Sequence, residues 1–252
     1  EALRQDGSFV PNKQCYAHAF VILAATSALA AGCAGAEELL EEALALHEKR
    51  YWQEEEGLAC DTSNTEFTIL DDYRGVNANM HTVEAFLAVA DVAGKSVYRA
   101  RAGRIIRHIV NWAKENEWRI PEHYTKEWVP DLECNKDNPA DQFKPYGATP
   151  GHGIEWARLI TQWTLANCGE EKEKLEIHLQ AAENLYTTAI KDGWNADGAP
   201  GIVYTTDWNG KPVVHDRMHW TLAEAINTSA VLYQVTGKEK YAKDYAAFMK
   251  YL

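Results

Sequence analysis

Apolar residues recur at helical spacing in eight stretches separated by turn-rich segments. The spacing predicts helices over 14–31, 37–51, 80–93, 96–116, 154–168, 171–192, 220–236 and 238–251. They fall into four pairs. The linker inside each pair is short and carries glycine (Gly32 and Gly35, Gly94, Gly169, Gly237), as suits a helix C-terminus that needs a positive φ. Between pairs the chain runs through 52–79, 117–153 and 193–219, rich in aromatic residues, Pro, Gly and Asn. In the last of these, Tyr204–Thr206 and Pro212–Val214 flank Asp207, Trp208, Asn209 and Gly210, a β-hairpin signal. The second helix of each pair reads as an outer one. In 96–116, Arg101, Arg104 and Arg107 form a polar face, while Val97, Ile105, Ile109 and Trp112 are expected to turn inward.

The first helix of each pair opens alike, with His18, His81, His152 and His219 recurring at intervals of roughly 70 residues. Two helices plus a long loop, repeated, indicate stacked helical hairpins, which form an open solenoid or close into a toroid. In a closed toroid the openings of the inner helices converge on one cavity. The chain has 252 residues and a formal net charge of -12. That charge argues against a nucleic-acid partner, which needs a basic surface, and weakly against adhesion to anionic membranes. The longest apolar run, Ala19 to Ala31, is too short to span a bilayer. Five scattered cysteines (Cys15, Cys33, Cys60, Cys134, Cys168), with no CxxC pair, fit a reduced, cytoplasmic setting. A homo-oligomer is left open. The chain starts at Glu1 without Met and ends at Leu252 inside a helical pattern, so it is expected to be a single domain incomplete at both ends.

Candidate chemistry lies at the helix openings. His152 and Glu155 are three apart, on one helical face, where a carboxylate raises the pKa of an imidazole and orients it for acid–base work. The bland reading is an incidental i,i+3 salt bridge. His81 and Glu84 repeat the spacing, with Asn77 and Asn79 just upstream. Amides and an imidazole at a helix mouth suit hydroxyl recognition on a polyol, against the plainer reading of a cap and a structural His. His219, Trp220 and Glu224 open the fourth inner helix. An indole there can stack on a sugar or simply pack in the core. No metal is expected: a dinuclear carboxylate site in a bundle uses Glu-x-x-His with further Glu residues, and here the order is reversed. Phosphate-loop and serine-elbow motifs are lacking.

The ordered series Asp72-Tyr73-Arg74-Gly75, Asn77-Ala78-Asn79-Met80-His81, Asn135-Lys136-Asp137-Asn138-Pro139-Ala140, Tyr146-Gly147, Thr149-Pro150-Gly151-His152, Glu155-Trp156, Asp207-Trp208, Gly210-Lys211-Pro212 and Trp220 with Glu224-Ala225 resembles the aldose–ketose isomerase branch of the N-acylglucosamine 2-epimerase superfamily. The resemblance runs from about Gly7 onward. It implies an all-α fold, an (α/α)6 toroid of which four of six hairpins are present. It implies a small monosaccharide substrate, no cofactor and no metal, and proton transfer between C1 and C2 through an enediol. It makes His152 the acid/base with Glu155 as partner, Asn77 and His81 substrate-binding, and Trp220 and Glu224 cavity residues. It also implies that an essential Arg precedes Glu1 and a second catalytic His follows Leu252, so that this length alone is expected to be inactive. Where a sulfosugar isomerase carries arginines, this chain has Gln142 with Lys144, and His219. Without guanidinium forks a neutral sugar of the mannose or lyxose kind fits better than a sulfonate, with Gln142 and His219 as binding positions. The alternatives are a sugar 2-epimerase and a non-catalytic carbohydrate-binding toroid. A glycoside hydrolase would need two flanking carboxylates, for which no strong pair stands out.

Overall fold

The computed structural model describes residues 12–252 apart from 168, 170 and 171. The expected helix limits at Cys168 and Glu171, and the start of the resemblance at Gly7, lie outside the described residues. The helices are α1 (Cys15–Ala30), α2 (Ala36–Arg50), α3 (Val76–Val92), α4 (Ser96–Glu115), α5 (Pro150–Ala166), α6 (Lys172–Gly193), α7 (His219–Thr236) and α8 (Glu239–Tyr251). The short strands are β1 (Asn12–Gln14), β2 (Trp52–Gln53), β3 (Leu58–Ala59), β4 (Thr62–Asn64), β5 (Arg74–Gly75), β6 (His123–Tyr124), β7 (Thr205–Thr206) and β8 (Pro212–Val214). They form four antiparallel ribbons: β1 with β4, β2 with β3, β5 with β6, and β7 with β8. No described helix is long and apolar enough to cross a membrane.

The chain divides into two compact units. One runs to His108 and takes in His123–Val129; the other holds Ile109–Glu122 and Pro130–Leu252. In the first, α1 packs on both α2 and α3. Its buried residues include Cys15, Ile22, Leu40, Leu44, Val83 and Phe86, each apolar side chain of this size contributing about 1.5–3 kcal/mol when taken from water. The ring contact Phe86–Tyr98 joins α3 to α4. In α4 the buried positions are Tyr98, Ala102, Ile105, Ile106, Ile109 and Ala113. The inward set therefore starts at Tyr98. Val97 is 52 % exposed, contrary to the expected stripe, because it lies off that i, i+3/i+4 line.

In the second unit α5 packs on α6 and α7, and α7 on α8. The β7–β8 hairpin forms as its turn chemistry requires. Asp207 Oδ1 accepts from the backbone N–H groups of Asn209 and Lys211, at 2.9 and 2.8 Å, and Gly210 takes φ +79°. A backbone bridge between Ala148 and Thr206 then ties this hairpin to the entry of α5. Gly237, at φ +66°, ends α7 and donates its N–H to Tyr233 O at 2.8 Å. The thiols of Cys15, Cys33, Cys60 and Cys134 are free; Cys168 lies outside the described residues. Burial pushes the Cys60 thiol up to about 11 and the Cys15 thiol well above its ordinary range, which suits core residues rather than nucleophiles.

Candidate active site

Two helices begin about a full turn earlier than the periodicity alone indicates, and both shifts matter for the site. α5 starts at Pro150, whose fixed φ and missing N–H suit a first helical position. His152 is therefore inside the first turn of α5. α3 starts at Val76, so Asn77 and Asn79 are helical. Asn79 is not a cap. Its amide is 1 % exposed; Oδ1 accepts from Ala59 N at 2.8 Å, and Nδ2 donates to Ala59 O at 2.9 Å and to Gly75 O at 3.1 Å. It fastens β3 to the start of α3 by bonding their backbone groups.

In the second unit, His152 Nδ1 lies 2.9 Å from Oε2 of Glu122. Glu122 comes from the loop after α4 and is 4 % exposed. Burial pulls the His152 imidazole toward neutrality, but the charge and hydrogen bond of Glu122, with the charge of Glu155, outweigh it and leave the pKa above its ordinary value. The expected His152–Glu155 hydrogen bond is thus replaced. The helix points the Glu155 carboxylate at Arg158, Oε1 to Nη2 at 3.5 Å, and Glu155 acts on His152 by charge. Arg158, itself buried, forks onto Glu224 of α7, with Nε–Oε2 at 2.7 Å and Nη2–Oε1 at 3.1 Å. Thr228 Oγ1 adds a buried bond to Ile154 O at 3.1 Å, so α5 and α7 are fixed to each other along their length.

Trp220 stands beside the imidazole, ring centroids 5.4 Å apart and planes at 33°. Gly151 makes this approach possible. A Cβ there would meet Trp220 Cη2 at 2.5 Å and Thr221 Cγ2 at 2.6 Å. Trp220 and Glu224 are half-buried. His219 and Gln142 are both exposed and do not belong to the buried cluster. A separate water-sized space of about 20 Å³ lies between Arg119, Thr149, Pro150, Gly153, Asp192 and Thr206. Thr149 and Thr206, whose buried hydroxyls have no hydrogen-bond partner among the described residues, are part of its lining, and it is too small for a sugar.

In the first unit, His81 Nδ1 and Glu84 Oε2 are 3.2 Å apart, the i,i+3 pair expected. The His81 ring packs on Phe20 (4.6 Å) and edge-on to Tyr16 (5.1 Å). Asn77 is half-buried on the same helix. His81 with Glu84, and His152 with Glu122, each join one imidazole to one carboxylate. That set suits proton transfer. Glu122 escapes sequence reasoning because it sits in a loop 30 residues from His152 with no helical spacing to it. The only local signal is an acid beside Pro121 and His123, which is common in loops.

The whole chain, residues 1–252, matches the family model described as N-acylglucosamine 2-epimerase (GlcNAc 2-epimerase). It is 42 % identical over 241 residues to a D-mannose isomerase of Pseudomonas cannabina pv. alisalensis, covering 95 % of this chain and 58 % of the relative. It is 43 % identical over 240 residues to a D-mannose isomerase of Thermobifida fusca, covering 91 % and 56 %. The chain therefore spans less than two thirds of the length of these relatives. A crystal structure of D-mannose isomerase superposes with a TM-score of 0.87 at 30 % identity, over 98 % of this chain and 64 % of that one. The cellobiose 2-epimerase of Spirochaeta thermophila shares the fold, with a TM-score of 0.78 at 17 % identity over 98 % of this chain and 60 % of that one. The all-α, (α/α)6 fold class expected from the sequence is thereby borne out. Matched by this family model over residues 1–252, the chain belongs to the N-acylglucosamine 2-epimerase family.

Proposed function

We propose that the protein carrying this chain interconverts an aldose and its ketose, of the mannose–fructose type. The observation that carries the reading is His152, a largely buried imidazole whose pKa two carboxylates raise, set beside an indole at the mouth of α5. An imidazole in that state can give and take protons near neutral pH. The 42 % identity to a protein named D-mannose isomerase supports the choice of sugar.

The chemistry is an internal redox exchange and needs no outside electron acceptor. Ring opening moves the O1 proton to a base and the C1–O5 electron pair to the ring oxygen, which is protonated. The C2 proton then leaves, its electron pair forming the C1=C2 bond of the enediol while the carbonyl oxygen takes a proton. Return of a proton to C1, with loss of the O2 proton, yields the ketose. In this reading His152 assists ring opening and proton movement, Trp220 covers the apolar face of the sugar, and Glu224, held by Arg158, fixes the wall of α7. Asn77 and His81 are assigned contacts to sugar oxygens. Glu155 tunes His152 by charge. The protein is read as cytoplasmic and metal-independent.

The test is a panel of mannose, lyxose, glucose, N-acetylglucosamine, cellobiose and sulfoquinovose with the intact gene product, products identified by NMR. Fructose from mannose supports the reading. A C2-epimer as sole product makes the protein an epimerase, and no conversion of any sugar removes the catalytic reading.

A further inference from the structure

The two ring nitrogens of His152 have different tasks. Nδ1 is engaged by Glu122 Oε2 at 2.9 Å, and an ionised carboxylate can only accept. The hydrogen between them therefore belongs to Nδ1, in the neutral ring as well as in the cation. This leaves Nε2 with the lone pair in the neutral form and with a dissociable proton in the cation.

Glu155, the carboxylate on the same helix, cannot fix the tautomer in this way, since its ion pair runs to Arg158 and its influence on His152 is through charge. Glu122 is also costly to keep. It is 4 % exposed, and its Oε1 is buried with no hydrogen-bond partner among the described residues. A half-satisfied buried carboxylate is a poor choice for stability alone. The Tyr204 phenol also feels its charge, its pKa raised by burial and by Glu122. The groups acting on His152 within its unit are thus Glu122 from the loop after α4 and Glu155 on α5, with Trp220 of α7 against the ring.

We propose that Glu122 is a positioning residue of the isomerase reaction: it locks His152 as the Nδ1–H tautomer, so that Nε2 is the atom that exchanges protons with the sugar. The assignment rests on the isomerase reading above and adds to it a residue that acts only through His152.

The experiment is ¹⁵N–¹H NMR of the intact gene product with labelled histidine, read across pH 4–9 for wild type, Glu122→Gln and Glu122→Asp. In wild type the neutral ring should carry its proton on Nδ1. In Glu122→Gln, whose amide both donates and accepts, the neutral ring should populate both tautomers. Its titration midpoint should move to lower pH, because a group that raised the pKa has gone. The acid limb of kcat/KM should follow it, with kcat reduced roughly 10²-fold or more and KM little changed, the size seen when the partner of an active imidazole is lost. Glu122→Asp keeps the charge and should recover part of kcat and the Nδ1–H tautomer, which also guards against a glutamine variant that fails to fold. A wild-type ring protonated on Nε2, or a glutamine variant with unchanged tautomer and midpoint, would overturn the proposal even in an active isomerase. A locked tautomer in a protein that isomerises no sugar would instead take away the reaction, and the catalytic role with it.

Discussion

Replacing Gly151 by Ala tests the packing that sets Trp220 against His152. The added Cβ would lie 2.5 Å from Trp220 Cη2, 2.6 Å from Thr221 Cγ2 and 2.8 Å from Trp220 Cζ3. Ordinary carbon contacts are about 3.5–4.0 Å, so α7 or the indole must retreat by about 1 Å. Gly151 is in a helix without a positive φ, and alanine there would otherwise stabilise by up to about 1 kcal/mol. Overpacking costs about 1–3 kcal/mol, so the net expectation is a loss of up to about 2 kcal/mol. The functional loss should be larger in proportion, because a 1 Å displacement beside reacting groups costs on the order of 10²-fold in rate. Urea denaturation gives the first quantity and kcat/KM on mannose the second. Gly151→Ala with Trp220→Phe, which removes part of the clashing ring, should regain stability but not activity. A Gly151→Ala protein that is more stable than wild type and fully active would refute the reasoning.

Other perturbations read different parts of the structure. Arg158→Met strips Glu224 and Glu155 of a buried guanidinium and should cost about 3–5 kcal/mol in urea denaturation, part of it recovered by adding Glu224→Gln; a loss below about 1 kcal/mol would contradict the latch. Asn79→Asp turns two donated bonds into repulsion against the Ala59 and Gly75 carbonyls and should cost roughly 2–4 kcal/mol, with Tm as the readout. His47, 1 % exposed, is pushed down to about 3 by burial and by the charges of His18 and Arg101. The unfolded chain protonates this ring first, near pH 6.5, so its contribution is whole above that pH and is lost as pH falls toward 3, at up to about 1.4 kcal/mol per pH unit. Urea titrations of wild type and His47→Gln between pH 7 and 4 should therefore differ in slope, and parallel lines would contradict the assignment.

Much of the architecture was legible because it is periodic. The apolar spacing gave eight helices, the intrapair glycines marked their ends, and Asp207 with Gly210 fixed a hairpin. What escaped is what periodicity does not carry. Asn77 and Asn79 look like a loop, yet Asn79 is inside α3 because its amide completes the hydrogen bonding of Ala59 and Gly75. Pro150 looks like a break but is a good first helical residue, which brings His152 into α5. Val97 was expected inward and is exposed because the buried line starts one residue later. At the candidate site, the repeated openings of the inner helices single out His152, Trp220 and Glu224, and the structure sets Trp220 beside His152 and pairs Glu224 with Arg158. The carboxylate on His152 was misassigned, since i,i+3 spacing favours Glu155 while Arg158, one turn further, captures it. Glu122 reaches the ring by tertiary folding alone.

The central claim is that His152 moves protons on the carbon skeleton of a sugar. Mannose incubated with the intact gene product in heavy water should acquire carbon-bound deuterium, at C1 of the fructose formed and at C2 of recovered mannose. His152→Asn, folded and still binding sugar, should acquire none above the uncatalysed background. Deuterium entering carbon at the wild-type rate in that variant would contradict the account.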